Sequence, residues 1–213
     1  MLVSYMYKRK FSFEIKRKIL HLSSIVFPIL YYRVNRITII VIILFFFLTS
    51  VTIDVSRYIV NKIIVNKIQV LTKRVFDNIM RVEEKENFRL TGATYMMMGM
   101  FFTALLFDKP IAITSWLILI IADSAAALLG KKFGKKTVFK KSLLGSIVFF
   151  FSSLIIVYIS SYVFNFSISL LYIIICCLIT TIFEFFSDYL RINDNLSIPL
   201  VFSLCFPFSI NYL

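Results

Sequence analysis

The residues best suited to chemistry lie between Ile121 and Ser146. A carboxylate, Asp123, sits at the end of an apolar run, and Gly130 and Gly134 follow, four residues apart. Six lysines (131, 132, 135, 136, 140 and 141) surround and follow the glycines, and Ser142 with Gly145 and Ser146 opens the next apolar run. Glycine lets backbone approach phosphate oxygens closely, and lysine supplies them with charge. The Ser142 end would offer the free N–H groups of a helix start to an anion. A carboxylate inside an apolar helix is costly unless it is paired or used. Together these types and spacings describe a phosphate-and-metal site at a membrane surface.

The elements that must position this stretch are apolar helices. Of 213 residues, 60% are hydrophobic, and the mean hydropathy is +0.88, far above soluble domains. Seven apolar runs are visible: Ile19–Tyr32, Ile37–Val55, Thr91–Phe107, Ile111–Leu129, Ser142–Tyr162, Ile168–Phe186, and Leu196 onward. They predict an all-α polytopic membrane bundle of about seven transmembrane helices forming one membrane-embedded domain over residues 1–213. Several runs are shorter than the ~20 residues of a typical span. The segment 57–90 interleaves Lys, Arg and Glu with Ile, Val, Leu and Phe at three- and four-residue spacing. That pattern predicts an amphipathic helix on the membrane surface between spans 2 and 3, in contact with anionic lipids. No cleavable signal is expected, because the first run lacks a small-residue cleavage site. Cys176, Cys177 and Cys205 lie within apolar runs, so packing is expected of them rather than a disulfide framework.

The net charge of +13 is accounted for by topology rather than by nucleic acid, which is not an expected partner. Placing residues 1–18, 57–90, the lysine loop 130–141 and Arg191 on one side collects 21 of the 24 Lys and Arg residues. Only Arg33, Arg36 and Lys109 fall on the other. The positive-inside rule then predicts N-in, C-out. The polar residues within the runs crowd the same, cytoplasmic, ends: His21, Asp54, Thr91, Asp123, Glu184, Asp194 and Asn195. Six segments contributing polar groups to one face predict a single cavity open to the cytoplasm.

Each of these residues admits a plainer role. His21 shares a helix face with Arg17 and Lys18, and is open to either packing or a phosphate or acid–base role. Asp54 and Arg57, three apart, are read as a structural pair. Asp123 has no basic residue within four positions on its own helix, so a functional role is expected of it. Glu184 is expected to bind metal, and Asp188, a like charge four residues on, to be solvated. Asp194 and Asn195 could cap the last helix, with Pro199 in its first turn. The methionines at 96–98 and 100 read as packing.

The stretch Asp123-Ser-Ala-Ala-Ala-Leu-Leu-Gly-Lys-Lys-Phe-Gly-Lys135, followed by Lys140-Lys-Ser-Leu-Leu-Gly-Ser146, resembles the signature of the CTP-dependent lipid kinases. That family includes dolichol kinase, phytol kinase and the fungal CTP-dependent diacylglycerol kinase. Arg17-Lys18-Ile-Leu-His21, Leu90-Thr-Gly-Ala-Thr-Tyr95 and Glu184 with Asp194-Asn-Leu-Ser-Ile-Pro199 extend the resemblance over about residues 14–200. The central pattern is also similar to phosphatidate cytidylyltransferases, but their loop carries a proline absent from Phe139-Lys-Lys-Ser-Leu-Leu-Gly145. They also continue past Ile-Pro with Gly-His-Gly-Gly, where Leu200-Val-Phe-Ser stands here. Dolichol kinases often carry Glu at the position of Leu144, a departure that leans toward diacylglycerol.

The resemblance implies transfer of the γ-phosphoryl group of CTP to a membrane lipid alcohol, on the cytoplasmic side of a multi-pass membrane protein. It implies nucleotide contacts from Gly130, Gly134, Lys135, Lys140, Lys141, Ser142, Arg17, Lys18 and Asn195. Mg²⁺ would be held by Asp123, Glu184 and Asp194, with Asp123, His21 and Lys135 as catalytic groups. A cytidylyltransferase and an ion-coupled transporter are the rival classes. A transporter would place its polar residues near mid-bilayer rather than at one end.

Overall fold

The computed structural model describes residues 14–63, 90–134, 137–138, 141–166 and 168–206. The first apolar run is a broken helix. Helix α1 covers 14–23, extending the run backward into the basic segment, and α2 covers Val26–Arg33. Ser24 and Ile25 turn the chain between them through three-residue backbone bonds, and the Ser24 hydroxyl competes for the His21 carbonyl. Helix α3 follows at Arg36–Ile63, α4 at Gly92–Leu106 and α5 at Lys109–Leu117. A π-helical turn, Ile118–Ala122, joins α5 to α6 at Asp123–Phe133. Helices α7 (Leu143–Phe164), α8 (Leu170–Phe186) and α9 (Asp194–Cys205) complete the bundle.

Local chemistry explains the ends. The Thr91 hydroxyl accepts from Thr94 N at the start of α4, and Ser142 Oγ accepts from Gly145 N, 3.0 Å away, at the start of α7. Asn165 ends α7 in the left-handed conformation, φ 50°, which Asn tolerates better than most residues. Asn193, not Asp194, caps α9, so Pro199 lies inside that helix rather than in its first turn. Two of the three cations expected at the far end have structural work. Lys109 Nζ donates to the Tyr32 and Val34 carbonyls at the end of α2, and Arg36 donates to Ala104 O and Leu105 O at the end of α4. Cations at helix C-termini satisfy carbonyls and oppose the dipole.

The segment Lys109–Phe133 is the axis of the bundle: 72% of its apolar window is buried, against 17% for Arg36–Arg57 and 33% for Leu143–Phe164. Helix α6 packs on α7, α4 on both α3 and α9, and α8 on α7 and α9. Gly99 sets the α4–α9 distance, since a Cβ there would lie 2.9 Å from both Asn195 O and Pro199 Cγ. Trp116 is fully buried and donates to Thr103 Oγ1. Met96, Met97 and Met100 are buried, in keeping with packing. The three cysteines are free thiols within the bundle.

The architecture is a helical bundle of membrane-protein type. Large apolar side chains such as Phe45, Phe151, Ile155 and Leu170 are more than half exposed, a surface suited to lipid rather than water. Among the described residues three segments are long and apolar enough to cross a membrane: Arg36–Arg57, Lys109–Phe133 and Leu143–Phe164. Gly92–Leu106, Leu170–Phe186 and Asp194–Cys205, of 15, 17 and 12 residues, fall short of ~20. The fold is helical as expected, with one small antiparallel hairpin added, β1 Thr137–Val138 with β2 Lys141–Ser142, in which Thr137 pairs with Ser142 and Val138 with Lys141. One expectation needs correction. Residues 57–63 continue α3 rather than opening a separate surface helix, and 64–89 lie outside the described residues.

Candidate functional site

Buried Lys18, His21, Asp123, Glu184 and Asn195 gather at one end of the bundle, where α1, the start of α6, the hairpin, the end of α8 and the start of α9 meet. Asp123 begins α6 directly after the π turn. Its N–H reaches back five residues to Ile118 O, and the Leu119 carbonyl lies 3.1 Å from His21 Nε2. A carbonyl only accepts, so Nε2 carries a proton, and in the neutral form of the ring Nδ1 is left as an acceptor. Lys18, one turn earlier on α1 and 1% exposed, donates its ammonium hydrogen to Asp123 Oδ2. His21 Nε2 lies 3.7 Å from the same oxygen. The partner that Asp123 lacks on its own helix is therefore supplied by α1.

Lys141 organises the second group. Its ammonium donates to Glu184 Oε1 and, at 2.6 Å, to the Glu184 carbonyl at the end of α8, and it lies 3.5 Å from Asp194 Oδ2. Burial works against the Lys141 charge, but Asp194, Glu184 and Asp123 outweigh it and hold the group above the ordinary lysine range. Lys141 thus links all three acids electrostatically. Asn195 Nδ2 donates to Gly92 O at 3.0 Å, while Asn195 Oδ1 and Glu184 Oε2 are buried acceptors with no hydrogen-bond partner among the described residues.

Glu14 is a member of this end that its sequence context could have revealed, since it stands three and four residues before Arg17 and Lys18. Its carboxylate accepts from Arg17 and, across to α6, from Lys131. Burial raises the Glu14 pKa, but the two cations prevail and bring it from 4.5 down to about 2. A depressed carboxyl stabilises the fold above pH 4.5, and that contribution fades as pH falls toward 2. The shift corresponds to roughly 3 kcal/mol, reduced to about 2 kcal/mol because Lys131 is half exposed. The thermal-stability gap between wild type and Glu14→Gln in detergent is expected to be constant above pH 4.5 and to close below it.

Asp54 is a structural clamp. Arg57 donates to Oδ1 at 2.8 Å, as the spacing predicts, while Thr91 N, Thr91 Oγ1 and Thr94 Oγ1 all donate to Oδ2. It fixes the start of α4 and so the Gly92 carbonyl that orients Asn195. Asp188 is exposed, as expected. Lys135 and Lys140 lie outside the described residues.

Gly130, Gly134 and Gly145 surround Ser142. A Cβ on Gly130 would lie 2.5 Å from Ser142 Oγ, and one on Gly134 would lie 2.3 Å from Gly130 O. Close approach of α6, the hairpin and α7 is therefore one demonstrated reason for these glycines. Among the described residues no three His, Cys, Asp or Glu side chains form a ready metal shell; Lys18 pairs with Asp123, and Lys141 lies between Glu184 and Asp194. The donor chemistry itself, carboxylates plus the unpartnered Glu184 Oε2 and Asn195 Oδ1, fits a hard divalent cation.

No protein-family model and no solved structure matches the chain. The uncharacterized protein RP860 of Rickettsia prowazekii is 46% identical over 197 residues, covering 91% of this chain and 93% of the relative. At that identity and coverage the chain belongs to the same family as RP860.

Proposed function

We propose that the protein is a membrane lipid kinase that transfers the γ-phosphoryl group of CTP to the hydroxyl of a diacylglycerol- or polyprenol-type lipid. One observation carries the reading: Lys18, His21, Asp123, Lys141, Glu184 and Asp194, drawn from five elements, meet at the end of the bundle that bears the lysine loop. Phosphoryl transfer needs positioning and charge neutralisation more than covalent help, and cations, acids and one neutral imidazole are the groups it uses. Lys141, with the neighbouring lysines, would hold the triphosphate. Glu184 and Asp194 are the oxygens from which a Mg²⁺ shell would be drawn, and the ion would neutralise charge on the phosphates; Asp123, paired with Lys18, would keep its anion beside His21. His21 Nδ1 would accept the proton of the lipid hydroxyl as its oxygen bonds to the γ-phosphorus and CDP departs.

Incubating the purified protein with labelled CTP and candidate lipids tests this. CDP plus a lipid phosphate is the expected result. Pyrophosphate plus a liponucleotide would make the protein a cytidylyltransferase, and no turnover with any lipid would overturn both.

The reading also requires seven spans with the N-terminus and the lysine loop in the cytoplasm, which the charge asymmetry supports. In a cysteine-free background, an impermeant thiol reagent applied to intact cells is expected to label Asp108→Cys and not Lys132→Cys. The opposite pattern would reverse the topology.

A further inference from the structure

The three acids are not equivalent. Lys18 and Asp123 form an interior pair, with side chains 2% and 6% exposed, one from α1 and one from α6. Lys141 and Asp194 lie nearer the rim, at 15% and 12%. Lys141 reaches the acids from a hairpin of two residue pairs, and it does so through a side chain with four rotatable bonds. Its ammonium meets one oxygen of Glu184, whose other oxygen, Oε2, is buried in a residue 5% exposed and has no hydrogen-bond partner among the described residues. A buried carboxylate oxygen without a donor is costly, and it marks a place where a cation would be stabilised better than one ammonium manages.

We propose that Glu184 and Asp194 form a divalent-cation site held in this structure by the Lys141 ammonium, and that the metal enters as Lys141 leaves. Asp123 is not part of that site, because it is paired with Lys18 in the bundle interior. Resting on the lipid-kinase reading, the exchange has a purpose: an incoming triphosphate draws Lys141 away and delivers the metal to the carboxylates it vacates. Free metal alone competes poorly, since Lys141 is tethered beside the acids at a high local concentration. Nucleotide and metal therefore bind together rather than independently.

The test measures Mn²⁺ binding to the purified full chain by electron paramagnetic resonance, without nucleotide. Lys141→Gln is expected to tighten Mn²⁺ at least tenfold over wild type, and Lys141→Arg, which keeps the charge, is expected to stay weak. Adding Glu184→Gln to Lys141→Gln is expected to remove the gain. The double variant Lys18→Met, Asp123→Asn, which removes the interior pair without stranding a charge, is expected to bind within about twofold of wild type. Equal Mn²⁺ affinity in wild type and Lys141→Gln, or no Mn²⁺ binding in any variant, overturns the proposal. So does loss of binding in the double variant. Lys141→Met, screened for monodispersity, replaces Lys141→Gln if that protein misfolds. Because no nucleotide is present, tightened Mn²⁺ binding without CTP turnover would leave the site standing and reject the kinase reading alone. CTP turnover with unchanged Mn²⁺ affinity would do the reverse.

Discussion

Asp123→Asn is expected to lower turnover on the order of a hundredfold or more, about 2.7 kcal/mol at the transition state, and to destabilise the fold as well. From sequence alone Asn looks harmless to folding, because it is nearly isosteric and Asp123 has no basic neighbour on its helix. The structure changes that expectation. Asp123 is the partner of Lys18, which is 1% exposed, and Asn leaves that ammonium buried and uncompensated. Stranding one member of a buried pair costs roughly 3–5 kcal/mol. The double variant Lys18→Met, Asp123→Asn is expected to recover most of the lost thermal stability. Turnover is expected to stay low in it, since the anion beside His21 is still missing. Recovery of turnover to more than about a third of wild type in the double variant would mean that Asp123 serves only to hold Lys18.

Gly134→Ala is expected to cost about 1–3 kcal/mol of stability whether or not nucleotide is present. The added methyl would sit 2.3 Å from the Gly130 carbonyl and 2.6 Å from Ser142 Cβ. Neither atom is the far end of a flexible side chain, so the hairpin or the end of α6 must move. A glycine kept only for close approach to phosphate predicts a different pattern: unchanged melting without CTP and a weaker apparent CTP affinity. Melting curves with and without CTP separate the two, and an unshifted melting temperature in both would remove the packing argument.

What the sequence by itself determined is local in origin. Apolar runs and their polar ends are set by the free energy of placing each side chain in lipid or water, a property of successive residues. The helical elements, the concentration of cations toward one set of helix ends, and the candidacy of His21, Asp123, Glu184, Asp194 and Lys141 all followed from it. The Asp54–Arg57 pair was legible because three-residue spacing places both on one helix face. What the tertiary structure alone decided is which charges meet. Lys18 and Asp123 are 105 residues apart, and Lys141 and Glu184 are 43 apart. Periodicity shows which face of a helix is polar, but the neighbour that face meets depends on how all the helices pack. The π turn adds a register shift that composition does not signal, and it carries Asp123 and the Leu119 carbonyl to α1. The glycines show the same division. Their four-residue spacing is equally suited to a phosphate cradle and to close packing of backbones, and only the position of Ser142 between Gly130, Gly134 and Gly145 reveals the packing that they permit.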